Sequence, residues 1–196
     1  MCEKQTTPEV DQKIKTAEGK APLAILPWPI LLRLDLEDHL IAIEGLAWAF
    51  EYGSRKYRPY NYAKAEPDLD TALLYLSANL RHRQKRRRQD RDAESGLPHI
   101  DHESACLIML LAIFSKSTKF SRAYRDILLL AEGAEYETYD LLTFTGELRG
   151  GFDTPEGLFE FIRILVCVTK SHFVEVERTT QHLKRQRGAE VIPAST

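Results

Sequence analysis

Acids and imidazoles crowd one stretch of this sequence, Asp92-Ala93-Glu94-Ser95-Gly96-Leu97-Pro98-His99-Ile100-Asp101-His102-Glu103. With a helix starting near His99, the side chains of His99, His102 and Glu103 fall at i, i+3 and i+4 and share one face. Asp92 or Glu94 can fold back toward that face across the break at Gly96 and Pro98. Carboxylates suit magnesium or manganese, and imidazole shifts the preference toward manganese, zinc or iron. The plainer account is helix capping, with the acids set against a helix N-terminus and the histidines as ordinary polar residues. Both accounts stay open at this density of ligating groups.

Two groups of cations lie upstream. Tyr52-Gly53-Ser54-Arg55-Lys56-Tyr57 is followed by Asn61-Tyr62. Lys56 or Arg55 there can hold phosphate oxygens through charge-assisted hydrogen bonds, and Tyr57 or Tyr62 offers a face to a base. A glycine-ended helix whose last carbonyls are met by cations is the competing reading. Arg81-His82 opens the second group and runs into Arg83, Lys85, Arg86, Arg87 and Arg88. Most of that run reads as a solvated basic face, with Arg81 set apart because it follows the apolar Leu80. Glu37, Glu44 and Glu51 repeat every seven residues and form an acidic stripe that reads first as an exposed acidic face and otherwise as a source of a further ligand.

The elements that must position these groups are helices. Leu36, Leu40, Ile43, Ala47 and Phe50 recur at spacings of three and four, predicting a helix over 36–52 that ends at Gly53. Asp68 or Asp70 can cap a second helix running to Gln89, with Leu69, Leu73, Leu76 and Leu80 on its buried face. The third starts near His99 and becomes apolar from Ala105 to Phe114, as a central element would. A fourth covers Phe120 to Ala131. Thr154-Pro155-Glu156 signals another start for 155–168, residues 143–152 with three glycines read as a turn or short hairpin, and Phe173 to Glu177 fits strand or helix. Pro22, Pro27 and Pro29 break 21–34 into an extended lead-in lying over the core through Leu23, Ile25, Trp28 and Ile30. The fold expected is mainly α. It comprises a polar arm at 1–20, a compact helical domain at 21–133, and an extension at 134–196 that is helical or a small α/β unit.

A chain of 196 residues can bury a core without staples. Three cysteines, Cys2, Cys106 and Cys167, share no metal-binding spacing, and point to a reducing cytoplasm rather than a disulfide framework. The apolar stretches are too short to span a bilayer, and the first residues lack the basic-then-apolar order of a secretory leader, so neither membrane nor export is expected. A net charge of −2 argues against nucleic acid as a partner.

Taken in order, Gly53, Lys56-Tyr57, Asn61, Arg81-His82 and the D-x-E-S-G-x-x-H-x-x-H run from Asp92 to His102 resemble the phage family of dATP/dGTP diphosphohydrolases over roughly residues 23–116. Tyr62 stands where tryptophan usually follows the asparagine, and Asp101 and Glu103 flank His102 where small or apolar residues are commoner. The resemblance implies hydrolysis of a purine deoxynucleoside triphosphate to monophosphate and pyrophosphate with Mg2+ or Mn2+, in the cytoplasm of an infected bacterium. On that reading Asp92, Glu94, His99 and His102 hold the metal, with Glu94, His99 and Glu44 as catalytic candidates. Lys56, Tyr57, Asn61, Tyr62, Arg81 and His82 then meet the nucleotide substrate. A homo-oligomer is compatible with this assignment. The alternative is a phage protein that binds and sequesters a nucleotide without turnover. Helical nucleotide pyrophosphohydrolases with an E-E-x-x-E run are a weaker comparison: Glu37-Asp38 is followed by Ile41, although Glu137-Thr138-Tyr139-Asp140 matches their second motif.

Overall fold

The computed structural model describes residues 20–116, 118–131, 134, 136–148, 152 and 154–189. The expected arm before residue 20, the glycines at 150 and 151, and the end of the tail lie outside them. Among the described residues there are seven α-helices and no strand, so the fold is mainly α as expected and the extension takes the helical one of its two alternatives.

Proline shapes the start differently from that expectation. Residues 23–25 form a 3-10 turn and Trp28–Arg33 a short helix, α1, with Pro29 in its first turn, where a missing N–H leaves no bond unmade. Ile30 is buried and Leu23 is exposed, so the lead-in is a helical corner rather than an extended strap. Helix α2 spans Leu40–Tyr57. It passes through Gly53 instead of ending there, and stops at Arg58, whose φ of 75° and ψ of 151° leave the helical region. Arg58 precedes Pro59, whose ring excludes helix from the residue before it. Helix α3 spans Leu69–Arg86, and Asp68 caps it by accepting the Thr71 N–H at 2.8 Å. It ends three residues short of Gln89.

Helix α4, His99–Phe114, is buried on nearly every side. It packs on α2, α3 and α7 and forms the centre of the molecule. Helix α5 is Thr118–Ala131 and α6 is Thr138–Glu147. The latter replaces the first half of the turn expected at 143–152. It starts where the Glu137 N–H bonds the Asp140 carboxylate at 3.2 Å, and burial of Leu141 and Thr145 carries it through Gly146. Helix α7, Pro155–Ala189, starts at the predicted signal, with Thr154 Oγ1 accepting the Gly157 N–H at 3.1 Å. It continues through Phe173 to Glu177 as one helix. A single apolar cluster reaches from Leu26 to Val176.

Helices α3 and α4 run antiparallel, which sets His82 beside His99 and Asn79 beside Glu103. A buried polar network locks that pairing. The Asn79 amide donates to the Glu103 carbonyl at 2.9 Å. Arg86 lies 3.0 Å from both the Glu103 and Glu175 carboxylates, and the Ser104 hydroxyl meets His172 Nε2 at 2.8 Å. One Glu103 oxygen faces Arg86 without an aligned hydrogen bond, and burial pushes the Glu103 carboxyl up to about 7. No described helix is long and apolar enough to cross a membrane.

Candidate metal centre

The loop between α3 and α4 is closed by its own backbone. Asp92 N–H donates to the Leu97 carbonyl at 2.8 Å, Gly96 N–H returns to the Asp92 carbonyl at 2.8 Å, and His99 N–H reaches the Asp90 carbonyl at 3.0 Å. Gly96 takes φ of +70°, a conformation that side chains disfavour. The Arg91 guanidinium clamps the Gly96 carbonyl at 2.8 Å. Within this frame Asp92 Oδ1 accepts the Glu94 and Ser95 N–H groups at 3.1 and 3.0 Å and the Ser95 hydroxyl at 3.2 Å. Asp92 Oδ2 is turned toward His99, 4.0 Å from its Nδ1. One oxygen is thus spent on the loop and the other is left for the site.

Helix pairing brings the third group. His82 Nδ1 lies 3.0 Å from His99 Nδ1, and donor atoms of His82, Asp92 and His99 all fall within 4.8 Å of one another. Bonds of about 2.1 Å to one ion put neighbouring donors about 3 Å apart and opposite donors about 4.2 Å apart. Two imidazoles and a carboxylate at these spacings fit a divalent cation, with manganese, zinc or iron preferred over magnesium. The other nitrogen of His99 meets the Gln89 side-chain amide at 3.2 Å. Ligation through Nδ1 requires the His99 proton on Nε2, where the oxygen of the Gln89 amide, turned over, accepts it.

Electrostatics keeps these rings neutral and so able to ligate. Burial lowers His82 to about 4, helped by the nearby His102 and His99 rings. Burial likewise lowers His99 and His102. Burial pushes Asp92 up, but hydrogen bonds from Ser95 and Glu94 outweigh it and hold the carboxyl below its usual range.

The sequence-derived site is partly assembled here and partly regrouped. His99 and Asp92 meet as expected. His102 instead holds the Ser95 hydroxyl through Nε2 at 2.7 Å and stacks on His82 with ring centres 4.7 Å apart. Glu94 is paired with Lys56, Oε1 to Nζ 2.6 Å, and the Tyr52 hydroxyl bonds it as well. Both contacts hold Glu94 below its usual range. The Lys56 ammonium also lies 5.4 Å from the centre of the exposed Tyr57 ring. Asn61 is exposed at the start of a 3-10 turn, Asn61–Lys64, and Tyr62 packs its ring edge-on to Phe50 at 5.6 Å. Arg81 and Glu44 are exposed and make none of these contacts, so Arg81 does not reach inward. Gln89, Ser95 and Tyr52 were given no role from the sequence, although Ser95 and Tyr52 stand in its motifs. Gln89 had no such signal, since it lies three residues past the end of α3 and reaches His99 from the turn that follows. The Glu137 and Asp140 pair sits at the start of α6. A cavity of about 1080 Å3 lies between α5, α6 and α7, lined by Arg83, Glu137, Lys170 and His172 among others, and none of the three donors lines it.

No curated protein and no solved structure matches the chain. The family described as dATP/dGTP diphosphohydrolase, N-terminal, matches residues 11–122, a stretch that holds every residue of the site and more than half of the chain. The chain belongs to that family.

Proposed function

We propose that this protein hydrolyses purine deoxynucleoside triphosphates to monophosphate and pyrophosphate with a divalent ion held by His82, Asp92 and His99, in the cytoplasm of a phage-infected bacterium. The observation that carries the reading is the convergence of those three donors inside the segment that matches a diphosphohydrolase family. His82 thereby moves from the substrate set to the metal set, and His102 becomes the ring that stacks behind it. The ion, when bound, would neutralise phosphate charge and acidify an attacking water.

The remaining groups act on the nucleotide. Lys56 exchanges Glu94 for a phosphoryl oxygen as the triphosphate arrives, since both are anions competing for one ammonium. Glu94 loses the partner that holds it ionised, its basicity rises, and it takes the proton from the water that attacks phosphorus. The bond to pyrophosphate breaks as the new P–O bond forms. Tyr57, Asn61 and Tyr62, beside Lys56, meet the base and sugar. Arg81 and Glu44 take no part.

The test is incubation of the purified chain with each dNTP and NTP, with magnesium or manganese, following monophosphate and pyrophosphate by chromatography. Product from purine deoxynucleotides is expected, and its loss in His99→Ala with the fold intact. Binding without product from any nucleotide would replace this reading with sequestration.

A further inference from the structure

The groove between α5, α6 and α7 stands apart from the metal centre. Except for Asp35 and Arg83, its described lining lies past residue 122, beyond the segment that the family matches. Its volume, about 1080 Å3, is that of a small-molecule site.

The wall changes character along its length, and two stretches of chain make the same change. From α5 into α6 the lining runs from Leu128, Leu129 and Ala131 to Glu137 and Asp140, and along α7 it runs from Cys167 and Val168 to Glu175 and Arg178. The Cys167 thiol donates to the Ala131 carbonyl at 3.5 Å, which joins the two apolar ends. Helix α3 closes the charged end: Arg83 lies 3.7 Å from Glu137, and Arg86, one turn on, holds Glu175 at 3.0 Å. At 1.5 Å per helical residue, Cys167 and Arg178 stand about 16 Å apart.

The charges at that end are unequally engaged. Glu175 is held by Arg86, and Asp140 accepts the Glu137 N–H at 3.2 Å. Glu137 is mostly exposed, and 3.7 Å is too far for it to take a hydrogen bond from Arg83. Lys170 and Asp35, farther along the wall, stand 4.0 Å apart. Such loose, wet pairs contribute little. A phosphate in place of Glu137 accepts short charge-assisted bonds from the Arg83 fork, and Arg178, exposed at the same end, takes its other side.

We infer that this groove is a second binding site, for an organic phosphate whose head lies between Arg83 and Arg178 and whose apolar body lies against Leu128, Leu129 and Val168. The choice among organic phosphates rests on the nucleotide-hydrolase reading above: the purine deoxynucleoside monophosphate that the chain releases carries a dianionic head and a flat base with two apolar faces.

Calorimetric titration of dGMP into the full chain, free of divalent metal, tests the site. Binding is expected in the unaltered chain and, within about twofold, in His99→Ala, whose change lies outside the groove. Arg178→Ala is expected to weaken it about tenfold, Arg178→Lys to recover part, and Leu129→Glu to weaken it about fivefold. Arg125→Ala, which removes an exposed cation of α5 that does not line the groove, should stay within about twofold. Inorganic phosphate, with no body to bury, should bind at least about tenfold more weakly than dGMP. No binding of dGMP by the unaltered chain, equal binding by Arg178→Ala, an equal loss in Arg125→Ala, or phosphate binding as tight as that of dGMP overturns the assignment. So does binding lost in His99→Ala, which would place dGMP at the metal centre. Turnover of dGTP by the unaltered chain is read separately. Turnover without dGMP bound in the groove removes the second site and leaves the hydrolase, whereas groove binding without turnover leaves an organic-phosphate site and removes the hydrolase.

Discussion

The carboxyl of Asp101 rests directly on the backbone of Gly45, so closely that a Cβ at position 45 would stand 2.2 Å from Oδ1 and 2.6 Å from Cγ. The contact joins α2 to α4 one residue before His102. Gly45→Ala therefore forces either the helices or the carboxyl to move and should cost about 1–3 kcal/mol. In an Asp101→Ala background the same change should cost much less, because the atom in the way is gone. Denaturant unfolding of the four proteins measures the coupling; additive losses would show that the clash is relieved elsewhere.

Asp101 also makes stability depend on pH in a direction opposite to the histidines. Burial, partly offset by the Arg91 charge, pushes its carboxyl up to about 7 from 3.8. Between roughly pH 4 and 7 the folded state binds a proton that the unfolded state has lost, so this group favours folding on acidification and opposes it above pH 7. His82 and His172 lie at about 4 against 6.5, so there the unfolded state binds the extra protons and stability falls as pH drops from 6.5 toward 4. Asp101→Asn should stabilise the protein at pH 8 by a few kcal/mol at most, with the gain fading toward pH 4. Urea midpoints across that range would decide it, and a gain independent of pH would contradict the assignment.

If His82 is a ligand rather than a substrate contact, His82→Ala should remove manganese binding and turnover as fully as His99→Ala, while Glu44→Gln and Arg81→Ala should change turnover by less than about threefold. Calorimetric metal titration beside steady-state rates separates the cases. Full metal affinity in His82→Ala would return that residue to the substrate.

Gln89 orients His99 from outside the donor set. Its replacement by alanine should weaken metal binding about 10- to 100-fold and leave the melting temperature nearly unchanged, as expected for a partner that fixes a ligand's tautomer and ring plane. Unaltered affinity would mean that His99 is held by packing alone.

The turn at Asp92 to Pro98 and the start of α4 were legible because Gly96, Pro98 and the Asp92 carboxylate act within a few residues. The ends of α2 and α6 were not. Glycine signals a helix end only where nothing beyond it favours the helix, and past Gly53 the Arg55–Glu51 and Lys56–Glu94 pairs do, while past Gly146 the helix runs on for one residue only. Metal-ligand spacing along α4 grouped His99 with His102 at i+3. The structure instead pairs His99 with His82, seventeen positions away, and that neighbour depends on how α3 packs against α4. Likewise Lys56 and Glu94, thirty-eight residues apart, meet only because α2 and the loop share a side of α4.

Helices α3 and α4 carry the histidines at one place and Arg86 and Glu103, joined by Glu175 of α7, at another, with His102 and Glu103 adjacent in the chain. A shift of α3 against α4 that relieved the buried ions would also spread His82 from His99, and donor spacing tolerates only about 0.5 Å. Substitutions at positions 86, 103 or 175 should therefore disturb the spacing of His82, Asp92 and His99 although they touch none of the three.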